Sequence, residues 1–375
     1  MLKRENFTKK RNWFLASIFD LFGFCISRII HPPRVHNMAE NIKKILIIRT
    51  DGIGDVLMTM PLFKALKEKY PNAFIDCLIR PRSKDIFPLI PYVSNTFISY
   101  SFFEDIKLAF LLYKNKYDVV ISPRVDNYIA NHAVAFIIGR KRRVGFAMKG
   151  GGFFLTDVVP WCGEKVLVEL SLDIANVLCC ENNDSSVFLN VSDKMLADGA
   201  QLLKGTGLTK EDVIIGINPF AYHPYIWVSA GWVELIKKLI KEYNAKIIFI
   251  GTSSVVTKVL KLQDMICDKT ISLAGKTNFI QLLGVINHLD LLVTVDSGPR
   301  HIANALGIRV VSLRHGVDSN ILWGRYCDTE RVVCQKVPCS PCGQKNCSED
   351  KRICMTSITP DDVINAINIF LRDNK

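Results

Sequence analysis

Residues 293–307, Val-Thr-Val-Asp-Ser-Gly-Pro-Arg-His-Ile-Ala-Asn-Ala-Leu-Gly, read as a buried strand that runs through a tight turn of small residues directly into a helix. Pro299 suits the first helical turn, where its missing N–H costs nothing. Free backbone N–H groups and the positive end of the helix dipole would converge on that turn and favour a phosphate or pyrophosphate. A second such unit lies far upstream. Residues 45–49 form an apolar strand, followed by Thr50-Asp51-Gly52-Ile53-Gly54-Asp55 and a helix with Leu57, Leu62, Leu66 and Tyr70 at helical spacing. This first turn is not the dinucleotide fingerprint, because Asp55 follows G-x-G and the third glycine is missing. Its two glycines instead let the backbone approach a substrate closely and leave a carboxylate at the mouth of the strand. Further apolar strands at 213–217, 246–250, 291–295 and 310–313 alternate with helical stretches, which predicts parallel sheets covered on both faces.

The chain has 375 residues, 49% of them hydrophobic, enough for two cores of ordinary size. Glycines and polar residues at 204–210 break the apolar pattern and place a boundary there. The expected organisation is an N-terminal segment 1–36, an acceptor domain 43–206, a donor domain 207–358 carrying a cysteine-rich loop at 334–354, and a C-terminal helix 359–375.

Net charge is +12, from 48 basic and 36 acidic residues. Lys3, Arg4, Lys9, Lys10 and Arg11 crowd the N-terminus, and Arg140, Lys141, Arg142, Arg143 and Lys149 form a second cluster. Neither carries interleaved aromatics or a recognisable binding module. An anionic membrane or a phosphorylated glycolipid is therefore the expected partner, and nucleic acid is not. Residues 13–30 are apolar and rich in Trp and Phe but contain Asp20 near their middle, which suits the membrane interface better than a span. The segment is expected to be a monotopic anchor, with a helix packed on the protein's own surface as the alternative.

Cys339, Cys342, Cys347 and Cys354 follow the spacing C-x2-C-x4-C-x6-C, compatible with a structural thiolate site for zinc or iron. A reduced, metal-free loop is the alternative reading.

Taken together, I-L-I-I-R-T-D-G-I-G-D with M-P-L-F-K-A-L-K at 45–67, L-A-G-K-T at 273–277, and D-S-G-P-x-H-I-A-x-A-L-G with W-G at 296–324 resemble glycosyltransferase family 9, the heptosyltransferases that extend the lipopolysaccharide core. The resemblance covers roughly residues 43–366. It implies an α/β protein of the GT-B fold, with two Rossmann-like domains whose parallel sheets face a central cleft. It also implies an inverting transferase that moves heptose or a related sugar from a nucleotide-sugar, ADP-heptose above all, to a lipopolysaccharide-core or related glycolipid acceptor. Such an enzyme is expected on the cytoplasmic side of the bacterial inner membrane and needs no cofactor for catalysis.

Glycosyl transfer needs a base for the acceptor hydroxyl and a clamp for the leaving diphosphate. Asp55, at the start of the first helix and behind Gly52 and Gly54, is the expected base, and the resemblance places the family's catalytic aspartate at this G-D. The competing reading is that Asp55 only caps the helix; Asp51 is a weaker rival that could serve the turn itself. On the donor side, Ser297 and the N–H groups of Gly298 to Arg300 are expected at the diphosphate, with Asp296 shaping the turn, Pro299 starting the helix and His301 packing beneath it. The resemblance adds Thr277 as a donor contact. One departure stands out. Relatives carry N-P-G-A and then K-R-W-P, whereas this chain has Asn218-Pro219-Phe220-Ala221 and then Tyr225-Ile226-Trp227-Val228. A phosphate counter-ion is lost: either Arg300, Arg314 or another cation substitutes, or donor specificity has shifted, or activity is reduced. Tyr225 or Trp227 could stack on the base, or Trp227 could pack in the core. A catalytically weak nucleotide-sugar-binding or scaffold protein, and an epimerase of the same fold, are the alternatives.

Overall fold

The computed structural model describes residues 41–125, 129–147, 151–160, 165–209, 211–221, 226–266, 268–316, 322–340, 342, 347 and 352–371. The chain divides into two units between Ser185 and Ser186.

The first unit runs β1 (Lys44–Arg49), α1 (Ile53–Leu57), α2 (Met60–Lys69), β2 (Phe74–Ile79), a 3-10 segment Pro81–Leu89, β3 (Asn95–Ile98), α3 (Phe102–Leu112), β4 (Val119–Ser122), α4 (Ile129–Ile138), β5 (Arg142–Phe146), β6 (Asp157–Val159) and α5 (Leu167–Val177). Its parallel sheet has the order β3-β2-β1-β4-β5-β6. β1 and β4 are central and buried along most of their length, as their unbroken apolar sequences require, while edge strand β3 is largely exposed.

The second unit runs α6 (Asp193–Leu203), β7 (Ile214–Asn218), α7 (Ser229–Tyr243), β8 (Lys246–Phe249), α8 (Val256–Ile266), β9 (Ile271–Ser272), α9 (Phe279–Asn287), β10 (Leu291–Val295), α10 (Gly298–Ala305), β11 (Val310–Leu313), β12 (Glu330–Val333), α11 (Ile353–Thr356) and α12 (Pro360–Leu371). Its sheet, again parallel, has the order β12-β11-β10-β7-β8-β9.

Two boundaries differ from expectation. Helix α6 belongs to the second unit, not the first, because Gly199 and Gly284 let its backbone press on α9; a Cβ on Gly199 would lie 2.4 Å from the Gly284 Cα. The C-terminal helix is not a separate piece either. Val363, Ile364, Ile367 and Phe370 of α12 are buried in the second core beside Trp227 and Leu235.

In each sheet the chain adds strands outward on one side and then returns to the other, which creates one topological switch point per unit. These lie between β1 and β4 and between β7 and β10. Ligands of such sheets bind beyond the strand C-termini at that point. The expected N-terminal anchor, residues 1–36, lies outside the described residues. Among the described residues no helix is long and apolar enough to cross a membrane.

Candidate active site

The turn after β1 opens at the first switch point. Gly52 precedes α1 in extended conformation, and its N–H donates to Asp55 Oδ2 at 3.1 Å. One carboxylate oxygen thus closes the turn; among the described residues Oδ1 accepts no hydrogen bond, and the residue is part exposed. Asp55 therefore caps the helix and still presents an oxygen for chemistry.

Arg49 fixes that geometry. Its Nε and Nη2 donate to the Asp55 carbonyl at 3.1 and 2.7 Å, and its Nη1 lies 3.1 Å from Asp51 Oδ2. Arg124, just past β4, places Nε 3.8 Å from the same oxygen, and Arg82 donates to the Asp51 carbonyl at 3.2 Å. Asp51 is buried between guanidiniums and acts as the turn's anchor. Three arginines thus converge beside Asp55 from the ends of β1 and β4 and from the 3-10 segment. They escaped sequence reasoning because each lies in a different stretch of chain.

The D-S-G-P turn occupies the second switch point. Asn218, at the end of β7, donates to Thr294 Oγ1 at 3.0 Å and to Ser297 Oγ at 2.7 Å, tying the two central strands together across the turn. The Ser297 hydroxyl in turn donates to the Val295 carbonyl. Among the described residues, a Cβ at Gly298 would meet no atom within 4 Å, so they leave the start of α10 open. The Arg300 N–H turns back to the Ser297 carbonyl at 3.1 Å and is not part of the anion cradle expected there. Thr277, half-buried between β9 and α9, lies at the same C-terminal edge, where Gly275 adopts a positive φ of 69° against Ser253 and Val256.

Arg300 holds the turn from within the second unit. Its side chain is wholly buried, with Nη1 2.9 Å from Asp296 Oδ1, Nη2 3.1 Å from Glu330 Oε2, and both nitrogens donating to the Trp323 and Gly324 carbonyls. Glu330 also accepts from Asn304 and Ser312. Burial alone would raise the Asp296 carboxyl, but Arg314 and Arg300 outweigh it and hold it well below the usual carboxylate range. Arg314 is buried as well, with Nη2 3.5 Å from Asp296. Both cations fix the turn.

His301 packs beneath the turn, its Nδ1 2.9 Å from the Tyr326 hydroxyl and its ring stacked on the tyrosine. Burial, reinforced by Arg300, pushes its pKa down to about 3. The depressed value gives a signed pH effect. The unfolded chain takes up this proton as pH falls through about 6.5, whereas the folded protein does not, so stability present above that value is lost on acidification. Between pH 6.5 and 4 the loss is expected to be about 3 kcal/mol. Urea unfolding at both pH values should show it in the wild type and a much smaller change in His301→Gln. Equal pH dependence in the two proteins would contradict it.

Several other expectations are settled by packing. Trp227 is buried, donates to the Ile358 carbonyl at 2.9 Å and meets Trp232 edge-on, so it is a core residue and not a base-stacking platform. Phe220 is likewise buried. Tyr225 lies outside the described residues. The basic cluster is largely neutralised within the first unit: Lys141 pairs with Asp118, Arg142 with Asp157, and buried Arg143 donates to the Phe154 and Gly139 carbonyls. Burial lowers the Arg143 pKa to about 10. Arg140 stacks on Tyr113, and Lys149 lies outside the described residues.

Cys339 is exposed, Cys342 and Cys347 are half-buried and Cys354 is buried. Slight burial, and then the Cys342, Cys354 and Cys347 thiols near it, raise the Cys339 thiol. Among the described residues no three His, Cys, Asp or Glu side chains are arranged to hold a metal ion.

Comparison with known proteins accounts for this pair of sheets and turns. Lipopolysaccharide heptosyltransferase 3 of Escherichia coli is 26% identical over 293 residues, 72% of this chain and 82% of that protein. Among solved structures, a glycosyl transferase family 9 protein from Veillonella parvula DSM 2008 superposes with a TM-score of 0.74 at 19% identity, covering 89% of this chain and 100% of the other. The E. coli ADP-heptose lps heptosyltransferase II gives a TM-score of 0.70 at 22% identity, covering 88% and 99%. Both superpositions span both units, as the expected GT-B class requires. Residues 106–353 match the family model "Glycosyltransferase family 9 (heptosyltransferase)", a range that holds the second switch point and begins downstream of the Asp55 turn. With most of its length inside that match, the chain belongs to glycosyltransferase family 9 and is a glycosyltransferase of the heptosyltransferase kind.

Proposed function

We propose that the protein moves heptose from ADP-heptose to a lipopolysaccharide-core or related anionic glycolipid, with inversion at the anomeric carbon. The observation that carries this reading is the placement of an open carboxylate oxygen at one switch point and an open helix start at the other. Asp55 Oδ1 takes the proton of the acceptor hydroxyl, whose oxygen then bonds to the anomeric carbon as the carbon–oxygen bond to the diphosphate breaks and ADP departs. Arg82, exposed, and Arg124, partly exposed, give the acceptor side a cationic rim suited to a phosphorylated or carboxylated sugar, while buried Arg49 holds the turn behind them. On the donor side, the Gly298 N–H and the α10 dipole face the leaving diphosphate. Lys258, whose ammonium lies 5.8 Å from the Phe220 ring, supplies an exposed cation in place of the lysine replaced by Tyr225. ADP-heptose is favoured because the E. coli heptosyltransferase II, similar over both units, carries that donor in its name. The acceptor reading places the enzyme at the cytoplasmic face of the inner membrane.

A thermal-shift panel of ADP-, UDP-, GDP- and CMP-sugars tests the donor. A ligand at a hundred times its Kd stabilises the folded state by about 2.7 kcal/mol. ADP-heptose is expected to give the largest rise in Tm; no shift with any nucleotide-sugar would contradict the reading and favour a scaffold.

The four cysteines are proposed, separately, as ligands of a structural zinc or iron ion on their spacing alone; as they stand among the described residues, no three of them are arranged to hold the ion, so binding would have to gather them. Elemental analysis should find close to one metal per chain, lost together with stability in Cys342→Ser. Metal-free wild type of unchanged stability would contradict this.

A further inference from the structure

Helix α3 turns an unusual face outward. Asp105, Ala109 and Leu112 are buried against the first unit, and Asp105 is clamped by both Nη atoms of Arg80. The opposite stripe, at i, i+4, i+7 and i+8, consists of Phe103, Lys107, Phe110 and Leu111, and exposed Lys114 follows in the 3-10 turn Tyr113–Asn115 that ends the helix. Phe103 is 78% exposed, Phe110 63% and Leu111 61%. No acid stands on that stripe; the neighbouring Glu104 carboxylate accepts from the Tyr100 N–H. Tyr100 extends the apolar surface at one end, and Arg140, stacked 3.7 Å over the Tyr113 ring, and Lys116 extend the basic surface at the other. A soluble surface helix normally shows water the reverse pattern, with its large apolar side chains inside.

We infer that this face of α3 docks on an anionic phospholipid surface, with Phe103, Phe110 and Leu111 at the boundary of headgroups and acyl chains and Lys107 and Lys114 against lipid phosphates. Aromatic and aliphatic side chains interleaved with lysines on one helical stripe are what an interfacial helix requires, and their charge matches an anionic leaflet. The inference deepens the membrane-side reading above but rests on α3 alone, independent of segment 1–36 and of sugar transfer.

The test uses the full chain, without donor or acceptor, in flotation with phosphatidylcholine vesicles with and without phosphatidylglycerol. Wild type is expected to float only with the anionic vesicles. The combined Phe103→Ser, Phe110→Ser and Leu111→Ser variant, and separately Lys107→Glu with Lys114→Glu, should lower partitioning about tenfold or more at unchanged Tm. In Phe110→Trp, acyl-chain bromines should quench emission beyond that of wild type. Equal flotation of wild type and the serine variant, no flotation of wild type, or no added quenching would overturn the proposal. So would a concentration-dependent dimer abolished by the serine substitutions with flotation unchanged, which would assign the face to a second copy. None of these outcomes bears on donor binding, which the nucleotide-sugar panel reads separately.

Discussion

Asp55→Asn is expected to lower turnover by about 10²- to 10⁴-fold, the range for loss of a general base, while donor affinity stays close to wild type. The substitution is informative because the turn survives it. An asparagine oxygen can still accept from the Gly52 N–H, and Arg49 grips the backbone carbonyl of residue 55, not its side chain. Only the capacity to take a proton is removed. If Asp55 serves as a cap and nothing more, turnover will be close to normal, so steady-state kinetics with saturating donor separate the two roles.

The largest stability effect is expected at Arg300. Truncation to alanine leaves Glu330, wholly buried, without its guanidinium, and takes one guanidinium from Asp296. Breaking a buried pair in this way typically costs about 3–5 kcal/mol, whereas replacing both partners by apolar residues of similar size is often nearly neutral. Denaturant unfolding should therefore show a large loss for Arg300→Ala and a much smaller one for Arg300→Met with Glu330→Met. Were Arg300 instead a ligand of the donor phosphates, its removal would leave stability nearly unchanged and weaken nucleotide-sugar binding.

These cases mark where the sequence was legible. The apolar strands and the turns at Gly52–Asp55 and Asp296–Pro299 announce themselves locally, since an unbroken apolar run between turn residues has few ways to be buried. Both turns fall at the switch points of their sheets. Charge pairing is not local. Arg300 meets Glu330 thirty residues on, Lys141 meets Asp118 and Arg142 meets Asp157, so a basic run that looks open in sequence is closed by acids on neighbouring strands. Trp227 reads equally well as a stacking platform or a core residue until the Ile358 carbonyl takes its N–H. The place of helix α6 is not legible in sequence, because the contact that holds it on α9 is made by two glycines, which leave no apolar signature.

The account stands most directly on the product of one reaction. ADP-heptose and a heptose-deficient lipopolysaccharide core are incubated with wild type and with Asp55→Asn, and the product is examined by mass spectrometry and by NMR of the new anomeric centre. The expected result is one added heptose whose anomeric configuration is inverted relative to the donor, formed by wild type and nearly absent with the variant. Retained configuration, or no transfer by wild type that demonstrably binds ADP-heptose, would contradict it.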